Sequence, residues 1–174
     1  MMHHYHILLV EDNLINQKVL SKQLRNTGCT VHVANHGVEA LDFLLTTTLW
    51  VDGSCDGNRN ELSIILMDLE MPIMDGLTCT RRIRDLEREG KLKGHVPIIA
   101  VTANTRMEQM DLAIEAGMVS DCDFKFDMKR LTWFQDDIVP KPFQIPELMQ
   151  KTNQLMAGRT LGHSEGQTDY FMKL

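Results

Sequence analysis

Ser63-Ile64-Ile65-Leu66-Met67-Asp68-Leu69-Glu70-Met71-Pro72-Ile73-Met74-Asp75-Gly76 is the stretch that decides the fold. Ile64–Met67 is an unbroken apolar run, the pattern of a strand buried on both faces rather than one. It stops abruptly at Asp68. Pro72 shapes a turn, and Asp75-Gly76 opens a segment of helical period carrying Leu77, Ile83 and Leu86. A buried strand, an acidic end, a turn and a helix form the repeating half of a parallel α/β layer.

The same grammar recurs on both sides. Ile7–Val10 is a second short apolar run and ends in Glu11-Asp12-Asn13. A helix pattern follows, with Ile15, Val19, Leu20 and Leu24 on one stripe and Gly28 as its stop. Thr30–Ala34 reads as a strand, Val38–Leu45 as a short helix, and the turn-rich Thr46–Asn60 as a long surface loop. Pro97–Val101 is a strand ending at Thr102, and Arg106–Ala116 a helix closed by Gly117. Ile138 and Val139 begin a fifth strand that ends at Lys141. Ile145–Met156 is a last helix with Pro146 in its first turn. Strands and helices in alternation predict a doubly wound, five-stranded parallel sheet covered on both faces. From Ala157 to Leu174 the chain turns polar without a period and reads as a mobile tail.

Composition narrows the function. The chain has 174 residues, 43% apolar and 24% charged, the balance of a single globular domain with room for an insertion. A net charge of −6 argues against a nucleic-acid partner, which asks for a basic stripe. No apolar run approaches the roughly 18 residues of a membrane span, and no signal pattern opens the chain. Cys29, Cys55, Cys79 and Cys122 form no Cys-x-x-Cys pair and read as free thiols of a reducing compartment, so a cytoplasmic location is expected. His3, His4 and His6 near the chain start lack the fixed geometry of a metal site.

Ligands of an open α/β sheet bind outside the carboxyl ends of its strands. Glu11-Asp12, Asp68, Thr102 and Lys141 all fall at that edge. Three close carboxylates repel one another unless a cation binds, and oxygen donors at an open edge suit Mg2+. A lysine opposite steadies a phosphoryl group, a hydroxyl bonds one of its oxygens, and Asp68 is placed to attack phosphorus. Taken singly, each has a plainer reading: Asp12 as a loop charge or helix cap, Thr102 as a turn residue, Lys141 as a surface lysine.

Four strings make the pattern specific. Ile7-Leu8-Leu9-Val10-Glu11-Asp12-Asn13, Met67 through Gly76, Pro97 through Asn104, and Lys141-Pro142-Phe143 together resemble a response-regulator receiver domain over about residues 6–156. The wording, with the long loop before the third strand, is most similar to receivers at the C-terminal end of fungal hybrid histidine kinases. The resemblance implies a flavodoxin-like (βα)5 receiver fold in a two-component phosphorelay. Asp68 would be the phosphoacceptor. Glu11, Asp12 and Asp68 would hold Mg2+ by their side chains and Glu70 by its backbone carbonyl. Thr102 would be the switch hydroxyl and Lys141 the phosphoryl-binding lysine. The phosphodonor would be a histidine kinase core or a histidine phosphotransfer protein, and the chain would catalyse its own aspartyl phosphorylation and dephosphorylation. No kinase motif is present in this sequence. Glu70 and Asn104, each two residues past a site residue, would tune the lifetime of the acyl phosphate. Ile138 stands where receivers often carry an aromatic that swings inward, so an aromatic swing is not expected here. A haloacid-dehalogenase-like phosphohydrolase is disfavoured, because Glu70 replaces the second Asp of that group's Asp-x-Asp.

One segment departs from the pattern. The resemblance wants Met118 to lead almost directly into Asp136, yet the 17 residues Val119–Gln135 intervene, with Phe124, Phe126, Trp133 and Phe134 among them. Helix-to-strand links usually take about 2–6 residues. Val119-Ser120 can be encoded as a GTAAGT splice donor, Leu131-Thr132 can hold a branch-point sequence, and Gln135 can be a CAG acceptor. The segment is a whole number of codons, so a retained intron is expected in preference to a family insertion. Loop closure grows with the logarithm of length, and the extra residues cost only about 1.5 kcal/mol on that ground. Exposed aromatics are the larger liability. The alternative function is therefore a receiver-like product that binds partners without relaying phosphate.

Overall fold

The computed structural model describes residues 4–51, 57–103, 116, 138–141 and 143–162. The strands are β1 (His6–Val10), β2 (Thr30–Ala34), β3 (Ile64–Asp68), β4 (Ile98–Thr102) and β5 (Ile138–Pro140). They form one sheet in the order β2-β1-β3-β4-β5. Every neighbouring pair is parallel, with Val10 opposite Met67, Asp68 opposite Val101, and Thr102 opposite Pro140. The helices are α1 (Leu14–Asn26), α2 (Gly37–Leu45), α3 (Gly76–Arg88) and α4 (Ile145–Gly162). The expected doubly wound sheet is present. The helix expected over Arg106–Ala116 lies outside the described residues except for the buried Ala116, and so does Val119–Gln135.

Alternation along the strands builds the two cores. Leu8, Val10, Ile65, Met67, Ile98 and Ala100 face one way and pack with Ala40, Leu44, Cys79 and Ile83 of α2 and α3. Ile7, Leu9, Ile64, Leu66, Ile99 and Val101 face the other way and pack with Leu20, Leu24 and Leu148 of α1 and α4. Both faces are covered, so β3 and β4 are apolar at every position before their last residues, Asp68 and Thr102.

Three expectations change. On α1 only Leu20, Ser21 and Leu24 are buried, while Leu14, Ile15 and Val19 are exposed. A helix turns by about 100° per residue, so Val19 stands more than a quarter turn from Leu20 and belongs to a second stripe. The loop Thr46–Asn60 is not purely superficial. Thr47 is fully buried, Asn60 exchanges backbone hydrogen bonds with Thr46 and Thr48, and Arg59 donates to the carbonyls of Thr47 and Trp50. Finally, α4 runs to Gly162, past the tail boundary read at Ala157. Helical hydrogen bonding continues without an apolar stripe where no proline interrupts it, and Ala157, Arg159 and Leu161 are good helix formers. Residues 163–174 lie outside the described residues.

Candidate functional site

Glu11 directly follows β1. Its N–H still donates to the Ala34 carbonyl at 3.0 Å, so the ladder holds this residue at the sheet edge and its side chain is buried. Gln17 fixes the turn from the helix side by donating to the Glu11 carbonyl at 3.1 Å. Glu11 Oε1 accepts from the Asn13 N–H at 3.1 Å, and Asn13 Oδ1 caps α1 by accepting from Ile15 and Asn16. Such a cap satisfies N–H groups that the first turn leaves without helical partners.

Asp68 is the last residue of β3. Its Oδ1 accepts from the Glu70 N–H at 3.2 Å, and its Oδ2 accepts from Lys141 Nζ at 3.2 Å. Lys141 Nζ also donates to Glu11 Oε2 at 2.7 Å. The Lys141 N–H bonds the Thr102 carbonyl at 2.7 Å, which ties the lysine to the end of β4. Thr102 is buried and sits one step beyond Val101, the register partner of Asp68.

Gly76 has a sharper role than opening a helix. A Cβ there would lie 2.1 Å from the Asp68 carbonyl oxygen and 2.9 Å from Met67 Cγ. Only glycine lets α3 start against the backbone of Asp68.

The electrostatics follow from this crowding. Burial is the main cause that pushes the Asp68 carboxyl above its ordinary pKa, and the Glu11 charge adds to it; Lys141 pulls the other way and is outweighed. For Lys141, burial works against the charge. The hydrogen bond to Glu11 and the charges of Asp68 and Glu11 win, so the ammonium is held above the ordinary lysine value. One oxygen each of Glu11, Asp12 and Asp68 lie within 4.8 Å of one another. Three hard oxygen donors, one beside open solvent at Asp12, suit a hard divalent cation that keeps part of its water shell.

The structure therefore brings together Glu11, Asp12, Asp68, Thr102 and Lys141 at one pole of the sheet. Glu70 contributes its N–H to Asp68, while its side chain is exposed. Asn104 and Pro142 lie outside the described residues. His4 and His6 meet edge to face at 5.1 Å, with His4 bonded to Thr30 and His6 to Glu61.

Sequence reasoning passed over Ile73. The Met74 N–H donates to the Pro72 carbonyl at 2.8 Å, and Ile73 between them has φ +70°. This is a γ-turn with a left-handed central residue, the rare and strained form. A β-branched residue held there costs roughly 1–3 kcal/mol. Met74 pins the turn, since its carbonyl accepts from the Gly37 N–H at 3.1 Å. No sequence signal marks it, because glycine or asparagine is the residue expected at positive φ.

The chain matches the response regulator receiver domain family over residues 7–133. It is 38% identical over 111 residues to hybrid signal transduction histidine kinase M of Dictyostelium discoideum, covering 64% of this chain and 4% of that protein. It is 37% identical over 114 residues to the sensor histidine kinase RcsC of Escherichia coli K12, covering 66% of this chain and 10% of that protein. The chain thus spans a small fraction of these curated relatives. Among solved structures, the receiver domain of a Pseudomonas aeruginosa sensor histidine kinase, which holds a magnesium ion in its active-site cleft, is 30% identical at a TM-score of 0.62, covering 89% of this chain and 99% of that one. The complex of the Saccharomyces cerevisiae histidine phosphotransfer protein Ypd1 with the receiver domain of Ssk1 shares the fold at a TM-score of 0.67 and 24% identity, covering 91% of this chain and 93% of that one. Among the described residues no helix is long and apolar enough to cross a membrane. With the alternating parallel sheet and the acidic edge in place, the chain belongs to the response regulator receiver domain family.

Proposed function

We propose that this chain is a phosphoacceptor of a histidine-to-aspartate phosphorelay and that Asp68 accepts the phosphoryl group. The observation that carries the reading is the meeting of Asp68, Glu11 and Lys141 at the carboxyl edge, with Thr102 beside them. An oxygen of the Asp68 carboxylate forms the new P–O bond. The P–N bond of a phosphohistidine breaks, and its electron pair returns to the imidazole nitrogen. Glu11, Asp12 and Asp68, with the Glu70 backbone carbonyl, would hold Mg2+, which neutralises charge on the phosphoryl oxygens when bound. Lys141 bonds one phosphoryl oxygen and Thr102 another, so movement of Thr102 reports the modification. Glu70 and Asn104 flank the group and set how fast water reaches it. The donor is a histidine kinase core or a histidine phosphotransfer protein, and the compartment is cytoplasmic.

The reading is tested by incubating the purified chain with Mg2+ and acetyl phosphate and weighing it intact. Wild type is expected to gain one phosphate and Asp68→Asn none. Labelling of both, or of neither, removes Asp68 from the role.

The same proposal extends to Val119–Gln135, which lies outside the described residues, as a retained intron. Lys141 follows this segment in the chain and still bonds Glu11 and Asp68, which supports a site that assembles despite it and weighs against the impaired product. Genomic sequence lacking GT and AG at the segment's ends would sink the intron.

A further inference from the structure

A chain start gives His4 and His6 no fixed geometry by itself; this fold does. Between them Tyr5 is buried, and its hydroxyl donates to Asn153 Oδ1 of α4 at 2.9 Å. The Tyr5 carbonyl accepts from the Thr30 N–H at 2.9 Å. The chain has therefore joined the sheet at Tyr5. The residues on either side of it share the opposite face.

Each ring is held by one nitrogen. His4 Nε2 bonds Thr30 Oγ1 at 3.0 Å, and His6 Nε2 meets Glu61 Oε2 at 3.0 Å. Thr30 begins β2 and is the register partner of His6, while Glu61 lies in the link from α2 to β3. Nδ1 of each ring takes no hydrogen bond among the described residues. An imidazole oriented through one nitrogen by an oxygen partner has the other nitrogen ready for a metal.

The spacing of the rings fits one ion. With Zn–N at about 2.0–2.1 Å and a tetrahedral angle, two imidazoles on one Zn2+ have ring centres about 5 Å apart. The His4 and His6 ring centres lie 5.1 Å apart, with the rings at 84° to each other. The same spacing also suits a plain edge-to-face contact, which needs no ion. His4 is exposed and the His6 side chain is 23% exposed, so an ion reaches both from solvent.

We propose that His4 and His6 form a Zn2+ site at the amino pole of the sheet, with Nδ1 of each ring as ligand and Glu61 as the carboxylate that orients His6. Among the described residues the acidic edge is the group in which three ligand side chains close together, so water completes the coordination of the histidine pair. The two poles differ in donor chemistry. Carboxylate oxygens at the acidic edge suit Mg2+, and imidazole nitrogens suit Zn2+. Bound Zn2+ staples the entry of β1 to β2 and to the link before β3, through Thr30 and Glu61.

The test adds Zn2+ to the full chain in excess Mg2+, which occupies the acidic edge. Calorimetry reads the affinity and a thermal melt reads the coupling to the fold. Wild type is expected to bind one Zn2+ and to melt higher with it, because an ion that prefers the folded chain stabilises it. His6→Gln is expected to bind at least about tenfold more weakly and to lose the rise in melting temperature. His4→Gln changes an exposed side chain and is expected to do the same with its melt unchanged when Zn2+ is left out. Glu61→Gln keeps both histidines and is expected to weaken Zn2+ by about tenfold. Equal affinity in wild type and both histidine variants overturns the proposal. So does binding without a rise in melting temperature, the mark of histidines on a loose chain end. No Zn2+ uptake by wild type leaves the rings as a plain edge-to-face contact, and unchanged affinity in Glu61→Gln overturns the orienting carboxylate.

Discussion

Asp68 and Glu87 are two carboxylates of similar burial, their side chains 10% and 14% exposed, at opposite poles of one α/β layer. Asp68 ends β3. Glu87 lies near the end of α3, which runs back to the amino pole. There it accepts from the Val96 N–H at 2.8 Å, from Arg84 at 2.6 Å, and meets His95 at 3.1 Å. Burial works against the Glu87 charge, but the bonds from His95 and Val96 and the Arg84 charge outweigh it and hold its pKa below the ordinary value. At Asp68 burial wins instead, because Lys141 is shared with Glu11. The lesson is one of partner count. A carboxylate held by a guanidinium, an imidazole and a backbone N–H serves the fold, whereas three carboxylates around one ammonium keep negative charge in reserve for a cation.

Removing the shared cation tests that contrast most severely. Lys141→Ala leaves Glu11 buried beside Asp68 with no positive partner. Breaking a buried pair costs roughly 3–5 kcal/mol, and the partial exposure of Lys141 places this change at the lower end. Without Mg2+ the variant is expected to melt well below wild type, and adding Mg2+ should narrow the gap. A gap that ignores Mg2+ would mean the acidic edge is not short of positive charge.

Gly76→Ala presses on the same pole by sterics alone. A Cβ 2.1 Å from the Asp68 carbonyl must displace the start of α3, at or above the roughly 1–3 kcal/mol of ordinary overpacking. Acetyl phosphate labelling should fall with the melting temperature. Unchanged labelling would show that Asp68 tolerates movement of its own backbone.

The mildest change is at the opposite pole. Glu87→Gln should cost about 1–3 kcal/mol at pH 7 by weakening the bonds to Arg84, His95 and the Val96 N–H, and should leave labelling intact. A depressed folded pKa gives stability that is present above the unfolded value, near 4.3, and lost as the pH falls through the folded one. The difference between wild type and Glu87→Gln is therefore expected to shrink in acid, as followed by urea melts between pH 7 and pH 3. A constant difference would remove the charge from the explanation.

Much of this was legible from residue order. Unbroken runs such as Ile64–Met67 demand burial on both faces, which requires helices above and below. The residues that end such strands must then share an edge, so Glu11, Asp12, Asp68, Thr102 and Lys141 could be gathered before any coordinate was known. Other features hid for physical reasons. Ile15 and Val19 look like core because periodicity shows that a stripe exists, not which stripe meets the sheet. The run of α4 to Gly162 follows backbone hydrogen bonding, which needs no apolar pattern. Thr47 is buried by contacts distant in sequence.

By itself the sequence determined the alternation of buried strands and amphipathic helices, the pole where Glu11, Asp12, Asp68 and Lys141 gather, and the identity of the charged groups there, because each depends on local pattern and chain direction. Only the tertiary structure decided that one ammonium would be divided between Glu11 and Asp68, that Gly76 is required by contact with a carbonyl rather than by its own φ, and that Ile73 would be held at positive φ with its side chain in solvent. These depend on distances between elements, set when α2, α3 and β5 close on the sheet, and no local pattern along the chain encodes them.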